Sequence, residues 1–448
     1  MGAFGAIVAG LLANPKVPIG FIIVTLAGVL AGHMTYRMKR DLVSTTIITV
    51  IIALIGVYLG QTGALSRLME WFNGLVGYTT TVADKEVKNV LYMTPYGPMT
   101  WPVWIWGILA LVFCYLGSVL PIWRFAQPVN YVSFWLVIAG IIGAIIGIFI
   151  VRPGFGDFPA FTGFYAVGVL APGVATPLWP IIFFVTIACG AISGWHSLVT
   201  TSGTSRQLER ETDTLPVTAG AMYTEAILAV LSLTFAVAGF AGFAGYKEAL
   251  ARGGGAVFAG GMAKFLNVLG VPTDFGAAFG SIFLVIMALT VMQLVLRFMR
   301  IASAELLGDR VPVFRNPHFG SVVAILFTLL ILWTGFWARI WILFGGSNQL
   351  FAGLALMLVS IWLANQGKTY RWVAYPAVFM YVTTVAALLV TGWVSLQAAL
   401  KPGLAAPFVF GNLVAAVIAF ALVVLAVILA IDGLRSFQRA RLQPAAAT

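Results

Sequence analysis

Eleven apolar runs constrain this chain more than any motif does: 17–36, 42–63, 102–123, 132–151, 178–199, 216–240, 276–300, 319–343, 347–364, 372–394 and 408–431. About 20 apolar residues rise about 30 Å as an α-helix, the thickness of a bilayer's hydrocarbon core. Hydrocarbon offers no partner to a backbone N–H or C=O, so each run is expected to be a helix that bonds within itself. An all-α polytopic membrane protein follows, with 11 or 12 transmembrane segments. The twelfth would be residues 1–13, which rise only about 20 Å. That run is either a half-helix or what remains of a segment starting upstream.

Composition agrees, since 61% of residues are hydrophobic and only 9% charged; soluble domains are about half apolar and a quarter charged. No polar block is large enough for a second domain, so residues 1–448 are read as one membrane domain. The 25 Lys and Arg exceed the 14 Asp and Glu, but they sit in ones, twos and threes at the ends of apolar runs. Topology produces that distribution, and no nucleic-acid partner is inferred. Sorting loop charges by alternate sides puts Arg37, Lys39, Arg40, Arg124, Arg206, Arg310 and Arg435 with the majority, which assigns that side and the C-terminus to the cytoplasm. No basic residue precedes Lys16, so no cleavable signal is expected.

Enzyme chemistry finds little support. Three scattered histidines, no close cysteine pair, no HExxH and no Walker motif leave no catalytic constellation, metal or cofactor to assign. Cys114 and Cys189 lie in apolar runs and read as small buried hydrophobes. The glycine-rich GGGAVFAGG at 253–261 lacks the GKS/T of a phosphate loop and is read as a flexible loop or re-entrant turn. The connection 64–101 is read as an amphipathic piece, Leu65 to Val76, followed by a polar stretch with interfacial aromatics.

Polar residues inside spans are costly, so they are suspects for function. From Cys189 to Glu225 the chain reads CGAISGWHSLVTTSGTSRQLERETDTLPVTAGAMYTE, an apolar helix that loosens into Gly, Ser and Thr. Gly194, His196, Ser202, Gly203 and Thr204 fall there, and irregular backbone at membrane depth is tolerated only against protein or a water-filled cavity. His196 suits substrate binding or proton coupling, or is simply a buried imidazole bonded to a carbonyl. Glu225, inside the next run, is either a proton-handling group or a structural hydrogen-bond partner. Gln293 and Arg297 share a polar stripe with Thr290 and Arg300; a guanidinium there would hold a carboxylate or snorkel to the interface. Asn348 and Gln349 follow Gly345 and Gly346, where Ser347 or Asn348 would cap a helix. His33 lies near a helix end beside Tyr36 and Arg37, as a coupling or an interfacial residue.

These residues resemble a known pattern. CGAISGWHSLVTTSGTSRQLERETD followed by GAMYTE is similar to the CGxxSGFH…SGTS…ExD…GxMLxE of the carbon-starvation protein family, prokaryotic membrane transporters of the amino acid–polyamine–organocation superfamily. YLGSVLPIWRFAQPVNY at 115–131, TVMQLVLRFMRIASAE at 290–305 and FGGSNQLFAGLAL at 344–356 resemble further family blocks in the same order. The chain departs from the family at three acidic positions, where it has Met34, Asn130 and Gln293.

The resemblance implies two inverted five-helix repeats with broken first and sixth helices, here 1–151 and 178–364, with extra helices at 372–431. It implies a plasma-membrane secondary transporter for a small carboxylate, amino acid or short peptide, with pyruvate or peptides favoured and proton or sodium as coupling ion. Gly194, His196, Ser202, Gly203, Thr204, Gln293, Arg297, Asn348 and Gln349 would contact substrate, with Glu225 and His33 serving coupling. The three neutral positions motivate an alternative, a membrane subunit or sensor that keeps the fold without transporting.

Overall fold

The computed structural model describes residues 1–82, 85–167, 175–185, 188–403 and 405–442. The protein is an all-α polytopic membrane protein. Its helices are α1 (Gly2–Leu12), α2 (Pro18–Tyr36), α3 (Leu42–Leu59), α4 (Gly63–Asn73), α5 (Trp101–Val119), α6 (Ala126–Val151), α7 (Ala188–Ala191) and α8 (Gly194–Ser202). They continue as α9 (Thr214–Ala238), α10 (Gly242–Ala251), α11 (Gly254–Asn267), α12 (Thr273–Leu307), α13 (Pro317–Trp333), α14 (Trp337–Asn365), α15 (Arg371–Ala399) and α16 (Ala406–Leu442). Among the described residues, nine helices are long and apolar enough to cross a membrane, and α1 and α13 are shorter apolar helices.

Local chemistry fixes many helix ends. Pro18 and Pro317 stand at the first position of α2 and α13, where a missing N–H costs nothing. Asp41 accepts the Ser44 N–H at 2.8 Å and Asn316 accepts that of His318 at 2.9 Å, so α3 and α13 begin with side-chain caps. Gly335, at a φ of 72°, closes the end of α13. The expected boundary between runs 319–343 and 347–364 therefore falls about ten residues earlier, and α14 starts at Trp337.

Two connections differ from their sequence reading. Residues 78–82 and 85–100 form an antiparallel three-stranded sheet, β1 (Tyr78–Val82), β2 (Lys85–Thr94) and β3 (Gly97–Thr100), paired in chain order. The stretch 253–261, expected to be a flexible loop or re-entrant turn, instead forms the first part of α11. Val257, Phe258, Met262, Phe265 and Leu266 recur at helical spacing and are all buried, so the glycines of α11 sit in a packed helix.

The chain divides into two compact units. Met1–Phe158 with Ser202–Gly335 form the first, built around α12, two-thirds of whose apolar window is buried. Phe235, Phe258, Phe265, Phe279 and Phe283 cluster in its core. Pro159–Thr201 with Phe336–Thr448 form the second, in which α14, α15 and α16 pack together. The long apolar side chains left exposed on α16, such as Val417, Val424 and Ile428, are what a lipid-facing helix presents.

Candidate functional site

In the second unit, the run expected to be a single helix over 178–199 is interrupted. A π-helical stretch covers Leu178–Val185, then α7 ends at Ala191 and α8 begins at Gly194. Ile192 and Ser193 between them are non-helical. Such a break strands backbone donors and acceptors. Asn348, fully buried in the middle of α14, takes several of them. Its Oδ1 accepts the Trp195 backbone N–H at 2.9 Å and the Ser193 hydroxyl at 3.3 Å, while its Nδ2 donates to the Ile192 carbonyl at 3.3 Å. Asn348 thus caps α8, not its own helix as the sequence reading had it. Approach is close enough that a Cβ at Gly194 would collide with the backbone of Asn348 and Ala352; this is a position only glycine fills.

Around the break, the Trp195 indole stacks on Phe344 and meets Phe351 edge-on at 5.3 Å. Its Nε1 is buried and has no acceptor among the described residues. His196 is half-buried on the first turn of α8, and its carbonyl accepts the Thr200 hydroxyl at 2.6 Å. Gln349, buried, adjoins Asn348 on α14. Gly194, His196, Asn348 and Gln349 therefore share one unit, joined by Ser193 and Trp195, which the sequence reading did not single out.

The first unit holds a separate polar group on α12. Gln293 is fully buried, and its Nε2 donates to Asn130 Oδ1 of α6 at 2.8 Å. Its Oε1 has no partner among the described residues. One turn on, the Arg297 guanidinium donates from Nη2 to the carbonyls of Gly117 and Leu120, at 2.7 and 2.6 Å. Arg300 Nη1 donates to the Ser118 carbonyl at 2.8 Å. Both arginines lie on the last carbonyls of α5, where a helix is most negative. Ser202, ending α8 and buried, donates to the Leu294 carbonyl at 3.4 Å, with buried Gly203 and exposed Thr204 following it.

The remaining candidates also belong to the first unit. Glu225 is half-buried on α9. His33 is exposed in the last turn of α2 and lines a cavity with Arg37 and Arg124. His318 pairs through Nδ1 with the Tyr115 hydroxyl at 2.7 Å, at the start of α13. Among the described residues, no group of three or more His, Cys, Asp or Glu could hold a metal ion.

A broken apolar helix whose exposed backbone is held by a buried amide on another helix is a device of membrane carriers. The family model for carbon starvation protein CstA matches residues 1–242 and 239–387. The chain belongs to the carbon starvation protein family. Similar curated members are "Peptide transporter CstA" of Bacillus subtilis, 27% identical over 410 residues covering 81% of this chain and 66% of that one, and the protein of the same name from Campylobacter jejuni, 28% identical over 371 residues covering 69% and 52%. "Pyruvate/proton symporter BtsT" of Escherichia coli is 27% identical over 436 residues, covering 77% of this chain and 59% of its own. The chain spans between half and two-thirds of the length of these CstA-family relatives. No solved structure gives a significant match. Two of the three positions at which the sequence departs from the carbon starvation pattern, Asn130 and Gln293, are the pair joined by the 2.8 Å hydrogen bond.

Proposed function

We propose that this protein is a secondary transporter of the plasma membrane, moving a small carboxylate, amino acid or short peptide, with its C-terminus in the cytoplasm. The observation that carries the reading is the break between α7 and α8, held open by Asn348. A helix interrupted within the membrane turns the positive end of one half toward a bound anion. In this reading α8 presents that end to the substrate carboxylate. Gly194 lets α8 pack directly on α14, His196 and Gln349 supply polar contacts, and the Trp195 Nε1–H donates to a substrate oxygen. The names of the relatives, peptide transporters and a pyruvate/proton symporter, support transport over a subunit or sensor role and favour pyruvate or a short peptide.

Coupling to protons or sodium is part of the proposal. Glu225 is its candidate proton-handling residue, because it is a carboxyl half-buried on the membrane-crossing helix α9. His33, Ser202, Gly203, Thr204, Gln293 and Arg297 stay with the proposal as secondary candidates. The experiment is uptake of labelled pyruvate and of dipeptides into proteoliposomes at two external pH values, with and without sodium. Saturable uptake that responds to a proton or sodium gradient, and that E225Q and H196A impair, is the expected result. Wild-type protein that accumulates none of these solutes under any gradient would sink the transporter reading. Unchanged uptake and pH response in both variants would remove these two residues from it.

A further inference from the structure

Where α2 ends, the first unit carries a cavity of about 350 Å³ lined by Val29, Gly32, His33, Arg37, Trp123 and Arg124. Two guanidinium groups, an imidazole and an indole thus share one opening, and among the described residues no carboxylate lines it. Among the described residues neither arginine is in a salt bridge. Asp41, the acid nearest in sequence, is already engaged with the Ser44 N–H at 2.8 Å. The walls are fixed to each other: the Tyr36 and Trp123 rings meet edge-on at 5.4 Å, and the Tyr36 hydroxyl donates to Gln127 Oε1 at 3.3 Å. Close packing of Gly32 on Pro128 holds the end of α2 against the start of α6.

Paired guanidinium groups match the geometry of a phosphate, which they bind through parallel N–H donors. The surroundings decide where that phosphate comes from. His33 ends a membrane-crossing helix, and Tyr36 and Trp123 are half exposed, as aromatic side chains at a bilayer interface are. Along α2, Ile22, Leu26, Val29 and Leu30 are exposed on one helical face that runs into the cavity, and Val29 belongs to both. A charged opening continued by an apolar track along the same helix fits a headgroup with its acyl chain, and basic pockets at the ends of membrane helices recognise anionic lipids. We propose that this cavity binds the phosphate of an anionic membrane lipid, with Arg37 and Arg124 on the phosphate, Trp123 at the glycerol level and an acyl chain along Ile22, Leu26 and Val29.

Native mass spectrometry of the detergent-purified full chain tests this, with phosphatidylglycerol and phosphatidylcholine offered at equal concentration and inorganic phosphate in a third arm. Phosphatidylglycerol adducts should exceed phosphatidylcholine adducts, and R37Q/R124Q should lower them about tenfold. R435Q/R439Q, which removes the same charge from exposed positions near the end of α16, should leave them unchanged, and R37K/R124K, which keeps the charge without the planar fork, should lower them less than R37Q/R124Q does. Equal loss in the two glutamine pairs would reduce the effect to general electrostatics and overturn the site. So would equal retention of the two lipids. Displacement of the lipid by millimolar inorganic phosphate, with phosphate itself retained through the two arginines, would make the site one for a soluble anion and overturn the lipid assignment.

Discussion

Asn348 Oδ1 accepts the backbone N–H of Trp195 at 2.9 Å, across 153 residues of sequence. With its amide donating to the Ile192 carbonyl, one side chain serves both ends of the break between α7 and α8. Replacing it by alanine leaves a donor and an acceptor without this partner at a part-buried site. N348A should therefore lower stability by about 1–2 kcal/mol, the range for orphaned buried polar groups and for hydrogen bonds inside membrane proteins. In N348D the ionised carboxylate keeps the acceptor but faces the Ile192 carbonyl with a second oxygen, whereas the protonated acid can donate there, so its deficit should shrink as pH falls. Reversible unfolding in mixed micelles reads both variants. A wild-type stability for N348A would mean that other groups hold the break.

Asn130 and Gln293 form an uncharged pair where the family resemblance places two acids. Their 2.8 Å hydrogen bond joins α6 to α12. Each is the other's partner, so N130A and Q293A should each destabilise, and the double variant should cost less than the sum. A coupling of about 0.5–2 kcal/mol is expected for two residues in one hydrogen-bond network. Additive losses in the same unfolding assay would show that the pair contributes nothing as a pair.

Much of this architecture was legible in sequence because hydrocarbon leaves the backbone no choice but a helix. The runs that became α2, α3, α5, α6, α9, α12, α15 and α16 announce themselves by length and apolarity. What escaped lies where two signals compete. Tyr78 to Thr100 was read for its polarity, although residues such as Val82, Val87 and Val90 scattered among threonines and charges belong to strands. In Gly254–Asn267 the glycines masked a buried helical face. Polarity inside spans pointed to Asn348, Gln293 and Arg297, yet not to what they bond. The carbonyls of Gly117, Ser118 and Ile192 are anonymous in sequence, since every residue carries one. Only the fold reveals which of them a helix end or a break has left unpaired.

Asp41 supplies a pH dependence whose sign can be worked out. Its carboxylate accepts the Ser44 N–H, and that bond holds its pKa below the ordinary aspartate value. A carboxyl with a depressed folded-state pKa contributes stability above the unfolded value of about 4 and loses it as pH falls through the folded one. D41N keeps a capping oxygen but cannot titrate. Wild type should therefore be the more stable of the two at neutral pH, with the gap closing below about pH 4. A gap that is constant from pH 7 to pH 3 would mean that the charged form of the cap adds nothing.

Trp195 offers the sharpest functional variant. Its ring is held by Phe344 and Phe351, so W195F keeps an aromatic ring there while removing the Nε1–H together with part of the indole's volume. That donor has no acceptor among the described residues, so the native fold gains no hydrogen bond from it there. The smaller ring should cost some packing stability, which the unfolding assay reads separately from uptake. If the donor serves a substrate oxygen, W195F loses one neutral hydrogen bond in the bound state alone, of about 0.5–1.5 kcal/mol. KM for uptake should then rise about 2- to 12-fold with little change in maximal rate, because 1.4 kcal/mol is a factor of about ten. An unchanged KM for every transported solute would remove the indole from the substrate site while leaving the capped break itself intact.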